Sequence, residues 1–146
     1  QLYAELSSEK SPLRLVYKCS APAEGVKEYY QELYRKMRER EILFGTTIHG
    51  PHKDDLLMSI ADLDVRYYAS EGQKRTVVIA LKFGEWERLK LEADESPLLL
   101  LDDISVCLDA ERQKRLLRRL ETFDQVFLTA TDEGELPISA NRIQLN

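Results

Sequence analysis

Two adjacent carboxylates stand directly after a run of four leucines, Leu98 to Leu101. They are Asp102 and Asp103. A buried strand that ends in two acids presents them at the carboxyl edge of a sheet, where α/β proteins bind their ligands. There the first carboxylate can hold Mg²⁺, directly or through water, and the second can orient and deprotonate an attacking water. The alternative is a hydrophobic strand that ends in a solvated acidic turn.

A second segment, residues 69–76, reads Ala-Ser-Glu-Gly-Gln-Lys-Arg-Thr and places Ser70 and Gly72 at the start of a helical pattern. The free N–H groups and the dipole at such a helix start attract an anion. Small residues there let the backbone approach a phosphate closely. An ordinary capped helix is the alternative interpretation, but the position upstream of the acidic strand favours a phosphate contact.

The hydrophobic pattern predicts the elements that position these segments. Long helices are expected at Val26–Leu43 and Gln73–Glu92, the second of them capped by Ser70. The leucine run predicts a strand covered on both faces, at the centre of a parallel sheet. The other predicted elements are a strand at Leu13–Tyr17, a β-hairpin made of Leu56–Ile60 and Val65–Tyr68, a helix that is capped by Asp109 and runs to about Leu120, a strand at Gln125–Thr129, and a hairpin or edge strand within Ile138–Leu145.

Composition indicates a soluble globular protein, since 43% of the 146 residues are hydrophobic and 32% are charged. No apolar run is long enough to span a bilayer. The start at Gln1 shows no signal peptide and no initiator Met, which suggests a fragment. Cys19 and Cys107 form no CxxC pair and are interpreted as reduced thiols. The net charge of −5 argues against a protein that coats nucleic acid but leaves room for a local basic face.

The Ser-x-Gly-Gln helix and the Leu-Leu-Leu-Leu-Asp-Asp strand resemble the signature and Walker B motifs of ABC-type ATPases, and residues 104–109 resemble the D-loop. Over nearly the whole chain, the sequence is similar to the C-terminal part of the RecF family of DNA-repair ATPases. The segments that carry this resemblance are Gly45–Asp55, with its Gly-Pro-His-Lys-Asp-Asp sequence, Ala69–Thr76, Leu98–Asp103 and Gln125–Thr129.

The resemblance implies an α/β fold. Residues 45–146 would form the C-terminal lobe of an ABC-type P-loop ATPase head, with a parallel-sheet core and flanking helices, and residues 1–44 would form part of a helical arm subdomain. It also implies ATP and Mg²⁺ as cofactors, an ATP-dependent homodimer, and double-stranded DNA and a RecR-type protein as partners. The expected setting is the bacterial cytoplasm, at the nucleoid, in DNA replication, recombination, repair and the SOS response, where such proteins help to load recombinase at gaps.

Roles for individual residues follow from the same resemblance. They are Asp102 for Mg²⁺, Asp103 as the catalytic carboxylate, Ser70, Gly72 and Gln73 as the signature that contacts the γ-phosphate held by the other protomer, Asp109 in the D-loop, and Thr131 as a γ-phosphate sensor where ABC transporters have a histidine.

One motif of such ATPases does not occur in the sequence. The pattern Gly-x-x-x-x-Gly-Lys-Ser/Thr supplies the N–H cradle and the lysine for the β- and γ-phosphates. In the family it lies near the N-terminus, in a lobe upstream of Gln1. We therefore expect the intact protein to hydrolyse ATP and this chain to be inactive alone.

A basic run follows the D-loop on a predicted helix, and Arg115 and Arg118 are its candidates for contact with DNA. A solvated face balanced by neighbouring acids is an equal alternative. His49 and His52 lack a third metal ligand, so a structural role, such as anchoring their loop through Asp54 or Asp55, is the better interpretation.

Two other functions remain open on the sequence. The chain could belong to another chromosome-associated, SMC-like ABC ATPase with coiled-coil arms, although the short arm argues against it. It could also be a non-catalytic interaction module in which the helix Val26–Leu43 docks a protein partner without nucleotide.

Overall fold

The computed structural model describes residues 1–93, 95–102, 108–129, 141 and 143. Asp103, residues 104–107 of the predicted D-loop, Thr131 and all of the predicted tail strand in Ile138–Leu145 except residues 141 and 143 lie outside these ranges. The elements are α1 (Leu2–Ser7), β1 (Leu13–Lys18), α2 (Val26–Phe44), β2 (Asp55–Ile60), β3 (Leu63–Asp64), α3 (Val65–Tyr68), α4 (Glu71–Glu92), β4 (Leu99–Leu101), α5 (Ala110–Leu120) and β5 (Val126–Leu128).

The chain forms two compact units. One comprises Gln1–Leu13 together with the described part of Ile60–Asn146, and the other comprises Arg14–Ser59. The predicted division into an arm subdomain (residues 1–44) and a head lobe (residues 45–146) stays a prediction.

The core of the first unit centres on α1 and α4. Phe83 of α4 is wholly buried, with 0% of its surface exposed. The ring centroid of Phe123 lies 4.7 Å from that of Phe83 and 4.5 Å from that of Trp86. On α1, Tyr3 and Leu6 are buried as well, and α1 contacts both α4 and α5. Each large apolar side chain buried in this way contributes roughly 1.5–3 kcal/mol, so α1 is held firmly against the longer helices.

Strands β4 and β5 pair in parallel, and Leu101 lies opposite Leu128 in the register. This confirms the two strands predicted on either side of a helix. The prediction that β4 is covered on both faces is wrong for this chain, because Leu100 is 68% exposed whereas Leu99 is 7% exposed. Four consecutive leucines predict burial, but within the described residues the pair of strands has a protein layer on one face alone.

The prediction that Val65–Tyr68 forms the second strand of a β-hairpin is also wrong. Val65–Tyr68 forms the short helix α3, and the strand that follows β2 is only the two residues Leu63–Asp64. The Asp64 side chain accepts a hydrogen bond from the backbone N–H of Arg66 at 2.7 Å, which caps α3, and Val65 is buried. The cap and this burial outweigh the strand propensity of a Val-Arg-Tyr-Tyr sequence.

The second unit contains α2 and the neighbouring strands β1 and β2. Helix α2 extends one residue beyond the predicted Val26–Leu43 and is followed by Gly45, which adopts the left-handed conformation with φ 65°. Among the residues that the structure describes, no helix combines the length and the apolar character needed to cross a membrane.

Candidate functional site

The start of α4 carries a complete capping box. Ser70 Oγ accepts a hydrogen bond from the backbone N–H of Gln73 at 3.2 Å, and Gln73 Oε1 accepts one from the backbone N–H of Ser70 at 2.8 Å. The N-cap predicted at Ser70 is confirmed. Because Oγ acts as an acceptor in this box, its own O–H can still donate to a ligand. The backbone N–H groups of Glu71 and Gly72 belong to the first turn, which has no intrahelical carbonyl to offer them. Together these donors suit an anion.

The amide nitrogen of the Gln73 side chain is bound by Glu9. Gln73 Nε2 donates to Glu9 Oε1 at 3.1 Å, and Arg112 Nη2 donates to the same oxygen at 3.0 Å. The Tyr3 hydroxyl donates to Glu9 Oε2 at 2.8 Å. Burial, followed by this hydrogen bond to Glu9, raises the pKa of Tyr3 above its ordinary value. Both functional atoms of the Gln73 amide are therefore engaged within the chain, where they fix the cap that includes Ser70.

Arg112 extends this connection to the start of α5. Asp109 caps the helix, with Oδ1 accepting from the Arg112 backbone N–H at 2.8 Å and Oδ2 accepting from Arg112 Nη1 at 2.8 Å. The backbone N–H of Arg112, and then its guanidinium charge, lower the pKa of Asp109. We call the series Gln73–Glu9–Arg112–Asp109 the Glu9 bridge. It joins the predicted signature to the predicted D-loop aspartate.

The carboxyl edge of the parallel strands forms a second cluster. Thr129 Oγ1 donates to Asp102 Oδ1 at 2.5 Å, and the Thr129 backbone N–H donates to the Leu101 carbonyl oxygen at 2.9 Å. The hydrogen bonds of Asp102 thus lead to Thr129, and those of Gln73 lead to Ser70 and Glu9. The hydrogen bonds place these residues in two separate clusters.

The oxygens of Asp102 are of the kind that Mg²⁺ prefers. Within the described residues, no group of three or more His, Cys, Asp or Glu side chains comes together as a metal site. Mg²⁺ at nucleotides is usually bound by one or two protein carboxylates together with water and phosphate oxygens. Asp103, the predicted second carboxylate, lies outside the described residues.

In the second unit, hydrogen bonds that involve Glu41 and Thr47 hold the loop that contains His49 and His52. Glu41 Oε1 accepts from the backbone N–H groups of Ile48 and His49 at 2.8 and 3.3 Å. His52 Nε2 lies 3.2 Å from the Thr47 carbonyl oxygen, which gives His52 the structural role that was expected. Asp54 has another partner: its Oδ2 accepts from the Tyr17 hydroxyl at 2.6 Å.

Comparison with known proteins gives the same result by sequence and by structure. The DNA replication and repair protein RecF of Protochlamydia amoebophila is 44% identical over 135 residues, which cover 89% of this chain and 38% of that protein. The RecF of Limosilactobacillus reuteri is 40% identical over 141 residues. A solved structure of the recombination mediator protein RecF-ATP in the RecFOR pathway matches with a TM-score of 0.68 and 32% identity, over 91% of this chain and 37% of that chain.

The chain matches the C-terminal part of RecF. The resemblance to RecF is thereby confirmed, and so is the α/β fold of an ABC-type ATPase lobe. The chain spans 38% of the length of the first curated RecF protein that it matches. No protein-family model matches the chain.

The basic residues that follow the predicted D-loop differ in how far their side chains are engaged by acids within the chain. Arg112 and Arg119 turn toward acids of the first unit, and Arg119 pairs with Glu87. Arg115 Nη2 donates to Glu111 Oε1 at 3.0 Å, and Arg118 is exposed. Of the two predicted DNA-contacting residues, Arg118 is therefore the more available to a phosphate.

Sequence reasoning missed Glu9 and Thr129, and it placed Arg112 in the basic run without predicting its contacts with Glu9 and Asp109. For Thr129 a signal existed, because neighbouring parallel strands end at the same sheet edge and Thr129 directly follows β5 as Asp102 follows β4. Glu9 carries no local signal, because its partners come from distant elements. The predicted roles of Ser70, Gly72 and Gln73 toward nucleotide stay predictions, as do those of Asp102, Asp103, Asp109 and Thr131.

Proposed function

We propose that this chain is part of a RecF-type DNA-repair ATPase and caps an ATP molecule that a second protomer holds. The observation that carries the proposal is the start of α4. There the Ser70 hydroxyl and the first-turn N–H groups of Glu71 and Gly72 form a set of donors that the helix itself does not use. The ATP named with the matching RecF structure supports phosphate as the ligand of these donors.

The carboxyl edge would serve the hydrolytic side of the reaction. Asp102 would hold Mg²⁺, which supplies charge neutralisation at the phosphates when bound. Thr129 orients the Asp102 carboxylate through its 2.5 Å hydrogen bond. Asp103, the next residue in the chain, is proposed to orient and deprotonate the attacking water. The P-loop pattern does not occur in these 146 residues. We propose that a further lobe carries it, and we call the protein that includes this lobe the parent protein.

The proposed cycle couples nucleotide to assembly. Because the signature contacts the γ-phosphate only in a closed dimer, ATP stabilises that dimer relative to the monomers. A two-fold dimer places two capped nucleotides in equivalent positions. We propose that closure also forms the surface for double-stranded DNA and for a RecR-type partner, and that hydrolysis reopens it, in support of recombinase loading.

The decisive test is Ser70→Asp in the parent protein that includes the P-loop lobe. Aspartate is a good N-cap, so α4 should stay folded, while its charge repels the γ-phosphate. We expect ATP-dependent dimerisation, measured by light scattering, to be lost and nucleotide binding to the monomer to be retained. Ser70→Thr keeps both the cap and the hydroxyl and should still dimerise. ATP-dependent dimerisation of Ser70→Asp at the wild-type ATP concentration would refute the trans-capping role.

A second candidate function is a nucleotide-independent interaction module. It is favoured by three consecutive apolar side chains at the end of α2, because Ile42, Leu43 and Phe44 are 71%, 81% and 63% exposed. Partner binding that is unaffected by ATP and is lost in Leu43→Asp would support the module. ATP turnover separates the two ideas: the ATPase proposal expects none from the chain alone and DNA-stimulated turnover from the parent.

A further inference from the structure

Glu9 lies just beyond α1, in a position that the local backbone defines. Ser8 ends α1 in the left-handed conformation with φ 61°, and its N–H donates to the Ala4 carbonyl oxygen at 3.1 Å. The Glu9 backbone N–H then donates to Ser7 Oγ at 3.1 Å. Since α1 is anchored by its buried Tyr3 and Leu6, the Glu9 carboxylate is delivered to a fixed point of the first unit.

At that point one carboxylate serves donors from three helices. They are Tyr3 on α1, Gln73 on α4 and Arg112 on α5. The side chains of Glu9 and Arg112 are only 25% and 20% exposed, so their pairing is partly shielded from water. Charge-assisted hydrogen bonds in such surroundings are shorter and stronger than neutral ones. The bridge is therefore a rigid connection between the starts of α4 and α5.

The carboxylate also determines which way the Gln73 amide points. An ionised carboxylate can only accept, so it draws the Nε2 donor of Gln73 toward itself and leaves Oε1 facing the Ser70 backbone N–H. The same argument applies to Arg112, whose two terminal nitrogens are divided between Glu9 and Asp109. Glu9 thus orients both ends of the bridge.

We propose that Glu9 is a positioning residue that holds the Ser70–Gln73 cap and Asp109 in one rigid piece, so that both engage the ATP-bound partner protomer together. The proposal rests on the trans-capping function above. Glu9 itself touches no nucleotide in this scheme and acts only through Gln73 and Arg112.

The test uses Glu9→Gln in the parent protein, because this change keeps the size of the side chain and removes its charge. We expect the ATP concentration for half-maximal dimerisation to rise about tenfold, the change that corresponds to losing a charged hydrogen bond. Nucleotide affinity of the monomer should stay within about twofold of wild type, because the P-loop lobe is untouched. Glu5→Gln, on the exposed side of α1, is the matched control and should change neither quantity.

Leu120→Ala tests for a merely structural role, because it removes a buried side chain at the end of α5 opposite to Arg112 and leaves the residues of the Glu9 bridge unchanged. This variant should lower Tm at least as much as Glu9→Gln while leaving the ATP midpoint within about twofold. An unchanged midpoint in Glu9→Gln, or an equal shift in Leu120→Ala, would overturn the proposal.

Hydrogen exchange without nucleotide separates this idea from the proposed function. The backbone amides of Gln73 and Arg112 bond to Ser70 Oγ and Asp109 Oδ1, so Glu9→Gln should speed exchange at both amides. If both accelerate but Ser70→Asp still dimerises with ATP, the bridge stands as a structural connection and the trans-capping function fails. If neither accelerates, or only one does, the rigid connection itself is refuted.

Discussion

Arg112 and Glu9 are separated by 103 positions in the sequence, yet Arg112 Nη2 donates to Glu9 Oε1 at 3.0 Å. The pair connects the two helix starts that carry the predicted signature and the predicted D-loop aspartate. A residue far outside either motif therefore helps to determine how both are presented.

Thr129 is expected to affect the Mg²⁺ concentration that the parent protein needs for ATP turnover. Thr129→Val keeps the branched shape but removes the hydroxyl that donates to Asp102 Oδ1. We expect the Mg²⁺ concentration for half-maximal ATP turnover to rise about tenfold, since partners that orient a metal ligand commonly have effects of this size. Thr129→Ser retains the donor and should behave as wild type. An unchanged Mg²⁺ dependence in the valine variant would show that this hydrogen bond does not matter for the metal.

Arg118 should contribute to DNA affinity if α5 faces the duplex. Arg118→Glu is expected to weaken binding of duplex DNA and to reduce the salt slope of the binding constant by about one, because one phosphate contact is lost. Fluorescence anisotropy across a range of salt concentrations measures both. Arg88→Glu makes the same change of charge on α4, where Arg88 pairs with Glu92 at 3.2 Å, and serves as the control. Equal effects of the two substitutions would indicate general electrostatics rather than a contact.

Gly50 should be far less tolerant of a side chain than Gly45. Both have positive φ, 144° and 65°. A Cβ at Gly50 would lie 2.8 Å from the Tyr34 hydroxyl and 2.9 Å from the His52 ring, whereas a Cβ at Gly45 would meet nothing within 4 Å. We expect Gly45→Ala to cost about 1 kcal/mol in the free energy of unfolding and Gly50→Ala to cost clearly more. Urea denaturation measures both, and equal costs would contradict the predicted crowding.

The Tyr17–Asp54 hydrogen bond should make stability depend on pH. The Tyr17 hydroxyl lowers the pKa of Asp54 below its ordinary 3.8, and the same bond raises the pKa of Tyr17 to about 12. A lowered carboxyl pKa contributes stability above pH 3.8, and this contribution is lost as the pH falls through the lowered value. Tyr17→Phe should therefore destabilise the protein at neutral pH but not in strong acid.

Two measurements check this prediction. In an NMR titration of Tyr17→Phe, the pKa of Asp54 should rise toward its ordinary value. In urea denaturation, the difference between wild type and Tyr17→Phe should shrink as the pH is lowered below 3.8. Tyr67→Phe removes a hydroxyl from a side chain that is 73% exposed and should show neither effect. A difference that persists in acid would mean that the Tyr17 ring environment, and not Asp54, is responsible.

The sequence predicts local features such as helix caps, but it does not predict features that depend on tertiary packing. Ser70 and Asp109 could be identified as helix caps because a cap depends on residues within one turn. Val65 was misassigned to a strand because a short run of apolar and aromatic residues suits either structure until packing decides. The exposure of Leu100 could not be predicted, because a run of leucines indicates burial but not which layer provides it. The contacts of Glu9 require three helices to pack together, and no local sequence pattern predicts such packing.

The capping box at Ser70 also has an evolutionary consequence. Folding of α4 alone would accept Ser, Thr, Asp or Asn at this position, since all four are good caps. On the proposed function, a phosphate contact would select against Asp for its charge and against Asn for the missing hydroxyl. Only Ser and Thr satisfy both demands, so position 70 should tolerate far less drift than the equivalent cap of α3 at Asp64. Because the helix cap and the proposed phosphate contact both depend on the Ser70 Oγ atom, we expect position 70 to vary much less among related sequences than the rest of α4.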